Sequence, residues 1–176
     1  MSSNYTSLVA YKSGFGNNLL PYPYYHTPAT GHTRVTNGVT FTDNEDGTIT
    51  ATSDGPASAN ANFMFIYDDY ILSPGTYTLS GCPSGGSDNT YCMRVATNSG
   101  NTILVTDTGN GGTFTVNADT TIRAYIRIAS GTTVTNLIFK PMLEQGQIAH
   151  TYTPYADSIG GVQASVKVTD DKVSTL

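Results

Sequence analysis

The chain has 176 residues, no tryptophan, two cysteines and few ions, with Asp, Glu, Lys and Arg together making only 12% of it. That is about half the usual share. Such a surface must be solvated by the hydroxyls and amides of its many Gly, Ser, Thr and Asn residues. The eight Lys and Arg residues form no run, and the formal net charge is -5. A phosphate-tracking nucleic-acid surface and a polybasic membrane anchor are therefore not expected. No apolar segment approaches the ~20 residues a membrane span needs, so membrane insertion is not expected either. Residues 1–17 contain no apolar core of a signal peptide. Without an export signal, the glycosylation sequon Asn4-Tyr5-Thr6 means little. Cys82 and Cys92 flank a Gly-rich loop, and their spacing fixes no hairpin register. Two reduced thiols are expected rather than a bridge.

What the chain does contain is strand pattern at short intervals. Val39–Thr42 and Thr48–Ala51 enclose Asp43-Asn44-Glu45-Asp46-Gly47, and Asp-Gly between alternating runs signals a hairpin because Gly accepts positive φ. Asn62–Tyr67 is apolar on both faces and predicts a central strand. Tyr77 and Leu79 alternate with hydroxyls after the Pro74-Gly75 turn. In Tyr91–Thr97, Tyr91, Met93 and Val95 are expected to face inward, with Cys92, Arg94 and Ala96 facing outward. Ile103–Val105 and Thr113–Val116 are two further short strands. Thr121–Ala129 sets Ile122, Ala124, Ile126 and Ile128 against Arg123, Tyr125 and Arg127 on the opposite face. Leu137–Lys140 begins a strand that Pro141 must end or bulge, and Glu144-Gln145-Gly146 has turn composition. About ten strands and no helix before Tyr155 predict an all-β, two-sheet antiparallel sandwich, of jelly-roll rather than immunoglobulin type.

Three segments follow. Residues 1–17 form an N-terminal arm, 18–155 the β module and 156–176 a connector. In the connector Ile159, Val162, Val166, Thr169, Val173 and Leu176 are spaced 3, 4, 3, 4 and 3, the a/d seam of a coiled coil. A short C-terminal helix is expected from this spacing, although Gly160-Gly161 and the β-branched residues weaken it. So short a helix needs partner chains. A homo-oligomer is thus expected, with the chain a module of a longer protein. In the lead-in to the sandwich, Tyr22, Tyr24 and Tyr25 either lie over a core edge or form an external platform.

Catalytic patterns are weak. Asp68-Asp69, Asp43 and Asp46 do not make the spaced carboxyl pair of a glycosidase, and no Gly-x-Ser-x-Gly elbow occurs. His26, His32 and His150 are expected as solvated or hydrogen-bonded surface residues. Cys82, Cys92 and one His make an incomplete zinc set. Asp43, Asn44, Glu45 and Asp46 carry oxygens suited to calcium, but the Asp-Gly hairpin explains them better. No cofactor is expected. The better functional candidate is the outward face: Arg123, Tyr125 and Arg127 stand in a row, with Arg94 on another strand. Tyrosine rings stack on sugar C–H faces, and guanidinium forks grip hydroxyls or carboxylates. The same residues also suit a solvated sheet face whose Arg stems cover Tyr125, or a subunit interface.

Asn18-Leu-Leu-Pro-Tyr-Pro-Tyr-Tyr25, Asn44-Glu-Asp-Gly-Thr48, Pro74-Gly-Thr-Tyr-Thr-Leu-Ser-Gly-Cys82 and Leu137-Ile-Phe-Lys-Pro-Met-Leu-Glu-Gln-Gly146 with Tyr152-Thr-Pro-Tyr155 together resemble a recurrent module. It occurs in bacteriophage and prophage tail, baseplate and fibre proteins, and it is similar to the jelly-roll carbohydrate-binding modules of glycoside hydrolases. The resemblance covers residues 18–155, and the stretch after Val166 resembles the helical connectors of such proteins. It implies a non-enzymatic adhesion module on a virion, a trimer, with host cell-surface glycan as the partner. Its alternatives are a purely structural tail or baseplate module, or an ancillary carbohydrate-binding domain of a larger hydrolase.

Overall fold

Alternation of apolar side chains with threonine builds most of the strands. In Val39–Asp43 and Ile49–Thr52, the apolar residues are buried and every threonine between them is half-exposed. A computed structural model describes residues 17–154. The N-terminal arm and the heptad-spaced connector therefore lie outside the described residues. Within them there are eleven strands and no helix. They are β1 Thr33–Thr36, β2 Val39–Asp43, β3 Ile49–Thr52, β4 Ala61–Leu72, β5 Gly75–Ser80 and β6 Tyr91–Thr97. β7 is Ile103–Asp107, β8 Gly112–Val116, β9 Thr120–Ile128, β10 Leu137–Phe139 and β11 Met142–Gln145.

All pairings are antiparallel. One sheet runs β1-β2-β3-β10, a second β11-β5-β8 and a third β4-β9-β6-β7. Pro141 explains why the first two are separate sheets. β10 pairs with β3, the chain breaks at Lys140-Pro141, and β11 resumes against β5. At the break Lys140 N–H donates to the Gly81 carbonyl at 2.9 Å. Gly81 has φ of 105°, and a Cβ there would lie 1.7 Å from the Lys140 oxygen, so only glycine fits.

The core lies between these joined sheets and the third. Phe41, Ile49 and Phe139 enter it from the first, Leu79, Phe114 and Leu143 from the second, and Phe63, Met93, Ile122 and Ile126 from the third. Each fully buried aliphatic or phenyl side chain stabilises by ~1.5–3 kcal/mol. The described residues form an all-β, sandwich-like structure.

Two expectations are corrected by this arrangement. Asn62–Tyr67 belongs to β4, an edge strand rather than a central one. Its adjacent apolar residues reflect the register shift between Met64 and Ile66, which leaves both Phe65 and Ile66 in the core, while residues 24–26 lie along its free edge. There Tyr25 and His26 N–H groups donate to the Phe65 and Met64 carbonyls at 2.9 and 3.1 Å. Glu144 and Gln145 are strand, not turn, and Glu144 is buried. The carboxylate accepts from the His150 N–H at 3.0 Å and bonds His150 Nδ1 at 2.8 Å, which holds the following loop against β11.

The ends of the described chain meet over the β2–β3 hairpin. Asn18 Nδ2 donates to the Pro141 and Thr153 carbonyls, while its Oδ1 accepts from the Leu20 and Leu143 N–H groups. Tyr24 donates to the Gly47 carbonyl at 2.6 Å and Tyr152 to the Asp46 carbonyl at 3.2 Å. Gly47 has the positive φ, 82°, that the hairpin requires.

Candidate functional site

The residues available for chemistry divide into those whose polar atoms are already engaged and those whose atoms are free. The acidic groups belong to the first kind. Asp43 accepts from the Tyr22 hydroxyl at 3.0 and 3.1 Å, from Thr27 Oγ1 at 2.8 Å and from the Glu45 N–H at 2.9 Å. Burial, and next the bond to Asp43, raises the Tyr22 phenol to about 12. Asp46 accepts from the hydroxyl and N–H of Thr48, and those bonds lower its carboxyl. Burial, and then the Asp46 charge, raises Tyr152 to about 12. The hairpin carboxylates thus organise a tyrosine-lined turn. Asp107, fully buried, accepts from the N–H groups of Cys82, Gly109 and Gly111 at 2.8–2.9 Å, fixing two loops. Cys82 and Cys92 are free and buried, and burial raises both thiols.

The outward residues of the third sheet lie in register rows across it. Arg94 pairs with Tyr125, which pairs in turn with Met64; Cys92 pairs with Arg127, which pairs with Asn62. Arg123 pairs with Ala96. The register therefore brings Arg94, Arg123, Tyr125 and Arg127 to one face of two adjacent strands. Cys92 and Ala96 share that face but are buried.

The four candidates differ in what they have free. Arg94 makes an ion pair with Asp88 at 2.8 Å and is only 16% exposed. Burial works against its charge, but the Asp88 bond and neighbouring groups outweigh it and raise the guanidinium. Its Nε is buried without a partner, as is Asn62 Oδ1. Arg127 donates to the Asp88 carbonyl at 2.5 Å and to Asn60 Oδ1 at 3.0 Å. Tyr125 is 9% exposed. These three form a packed floor that ties the loop around Asp88 to the sheet. Arg123 is half-buried and has no hydrogen-bond or ion-pair partner among the described residues.

Sequence reasoning missed Asp88, which sits in a loop with no pattern of its own and anchors two arginines. The tyrosine lead-in follows both readings at once. Tyr24 is buried against Phe63 and Phe65, whereas Tyr25 is 59% exposed with its ring on Tyr67. His26 is half-buried, its Nδ1 accepting from the Met64 N–H at 3.0 Å; burial, then the Arg34 charge, lowers it to about 4.

A polar recess at one end of the same sheet is lined by Thr97, Asn98, Ser99, Asp119, Thr120 and Thr121. Among the described residues no cluster of His, Cys, Asp and Glu could hold a metal ion. No helix in them is long and apolar enough to cross a membrane. No protein-family model matches this chain, and no curated protein or solved structure does so either.

Proposed function

We propose that residues 18–155 are a jelly-roll adhesion module of a bacteriophage tail or fibre that binds host cell-surface carbohydrate without catalysis. The 156–176 connector would start a trimeric helical stalk on the virion. The observation that carries the reading is the face of β6 and β9. Of the three basic residues that stand there in a weakly charged chain, Arg94 and Arg127 are engaged by the loop around Asp88, and Arg123 has no hydrogen-bond or ion-pair partner among the described residues. Guanidinium donors beside tyrosine rings suit a hydroxyl-rich ligand. In support of a non-enzymatic role, Asp43, Asp46, Asp107 and Glu144 each hold backbone or neighbouring side chains. None is free to act as acid or base in its present contacts.

A purely structural tail module is the second reading. Exposed Val35 and Ile138 flank the threonine-covered outer face of the first sheet, which suits packing against a neighbouring subunit. A glycan array of bacterial surface saccharides separates the two. The adhesion reading expects binding that Arg123→Ala weakens at least about tenfold, or 1.4 kcal/mol. Silence across the array would leave the structural reading.

A further inference from the structure

The ladder between β4 and β9 is interrupted where the face changes character. Ile66 pairs with Ala124 and the next matched pair is Tyr70 with Ile122. Tyr67, Asp68 and Asp69 therefore stand opposite Arg123 alone. Extra residues in one strand break the pairing and re-aim side chains. Ile66 and its partner Ala124 are buried in the core, and Tyr67, the next residue, is half-buried at the start of the stretch that faces Arg123.

The Tyr67 ring lies 5.2 Å from that of Tyr25, with the planes at 38°. Tyr25 is fixed to β4 by its own N–H bond and by the two His26–Met64 bonds that follow. It is thus an exposed ring on a rigid support, and an aromatic held this way costs little entropy when it binds. Farther along β4, Ile71 is 60% exposed and pairs with Thr121, which borders the polar recess.

The polar groups around the rings carry both signs. Arg123 has no hydrogen-bond or ion-pair partner among the described residues, and Asp69, in the same bulge, is exposed. A strongly charged ligand of either sign would meet a like charge there. A standard protein interface buries ~800 Å² on each partner. Two partly exposed tyrosines and an isoleucine, at ~150–250 Å² for a whole aromatic side chain, present less than that. A pyranose offers the right complement: an apolar C–H face for the rings, and hydroxyls that both donate and accept.

We infer that Tyr25, Tyr67 and Arg123 form a subsite for a neutral pyranoside at the β4 bulge. The rings stack on the sugar and Arg123 donates to its hydroxyls. The inference rests on the adhesion reading and names its ligand class and place.

The test is an array of gluco-, galacto-, manno- and N-acetylhexosaminyl oligosaccharides beside uronic- and sialic-acid glycans. Calorimetry on the strongest binder then compares wild type, Tyr25→Ala, Tyr67→Ala and Tyr25→Phe, each checked for unchanged melting. Each Ala variant is expected to weaken binding about tenfold or more, equal to 1.4 kcal/mol, while Tyr25→Phe stays close to wild type. A preference for acidic glycans, or full affinity in folded Tyr25→Ala and Tyr67→Ala, would overturn the subsite while leaving adhesion intact. If no glycan binds, the adhesion reading fails and the subsite with it.

Discussion

Tyr125 and Tyr67 stand on the same face of one sheet, each beside an arginine, and they are finished in opposite ways. Tyr125 lies on β9 with β4 on one side and β6 on the other, with Met64 and Arg94 as its register partners, and it is buried. The arginines beside it bond Asp88 and Asn60, so that part of the face is satisfied from within. Tyr67 lies on an edge strand at a break in the ladder, its ring tilted against that of an exposed Tyr25, in the stretch opposite Arg123, which has no partner among the described residues. A tyrosine–arginine pair in mid-sheet becomes packing, because cross-strand neighbours fall within reach of both. The same pair at an irregular edge remains available to a ligand.

If that contrast is right, substitutions should separate stability from binding. Tyr125→Ala should give the largest loss, about 3 kcal/mol by denaturant unfolding, as expected for truncating a buried aromatic. Tyr67→Ala should cost under about 1 kcal/mol, in the range of a surface change. Equal losses would erase the distinction. Asn18→Ala should destabilise by about 2 kcal/mol, because it strands buried backbone groups at both ends of the module. It should leave saccharide affinity unchanged once the protein is folded.

Arg94→Ala or Arg127→Ala should cost about 1 kcal/mol or less, as partly exposed pairs do. Each should speed amide exchange in residues 86–90, with sugar affinity nearly kept. A large affinity loss with no change in exchange would move the binding site to the packed floor. A separate effect concerns pH. Burial, and then the Arg34 charge, lowers His26 from 6.5 to about 4 in the fold. Below about 6.5 the unfolded chain binds a proton that the fold resists. Stability is therefore full above that pH and declines as pH falls towards 4. His26→Gln should flatten that decline in unfolding curves recorded between those values.

Much of the fold was legible in the residues. The span Tyr91–Thr97 is a strand as read, and the alternation in Thr121–Ala129 matches β9 within one residue. The Asp-Gly hairpin and the proline break were also visible, because each depends on a local backbone constraint. What escaped was set by partners distant in sequence. β4 reads as central since nothing in Asn62–Tyr67 reveals that residues 24–26 cover its edge. Glu144 reads as a turn residue until His150 provides its bond. Residue type likewise groups Arg94, Arg123 and Arg127. The positions of Asp88 and Asn60, 39 and 67 residues from Arg127 in sequence, separate the engaged arginines from Arg123, which has no partner among the described residues.

The direct measurement is a titration of isotope-labelled protein with the neutral oligosaccharide that the array ranks highest, followed by backbone amide shifts. The subsite predicts that the largest, saturable changes centre on Tyr25, His26, Tyr67 and Arg123. Changes centred on Arg94, Arg127 and Asp88 would contradict it, as would a spectrum that the sugar leaves unmoved.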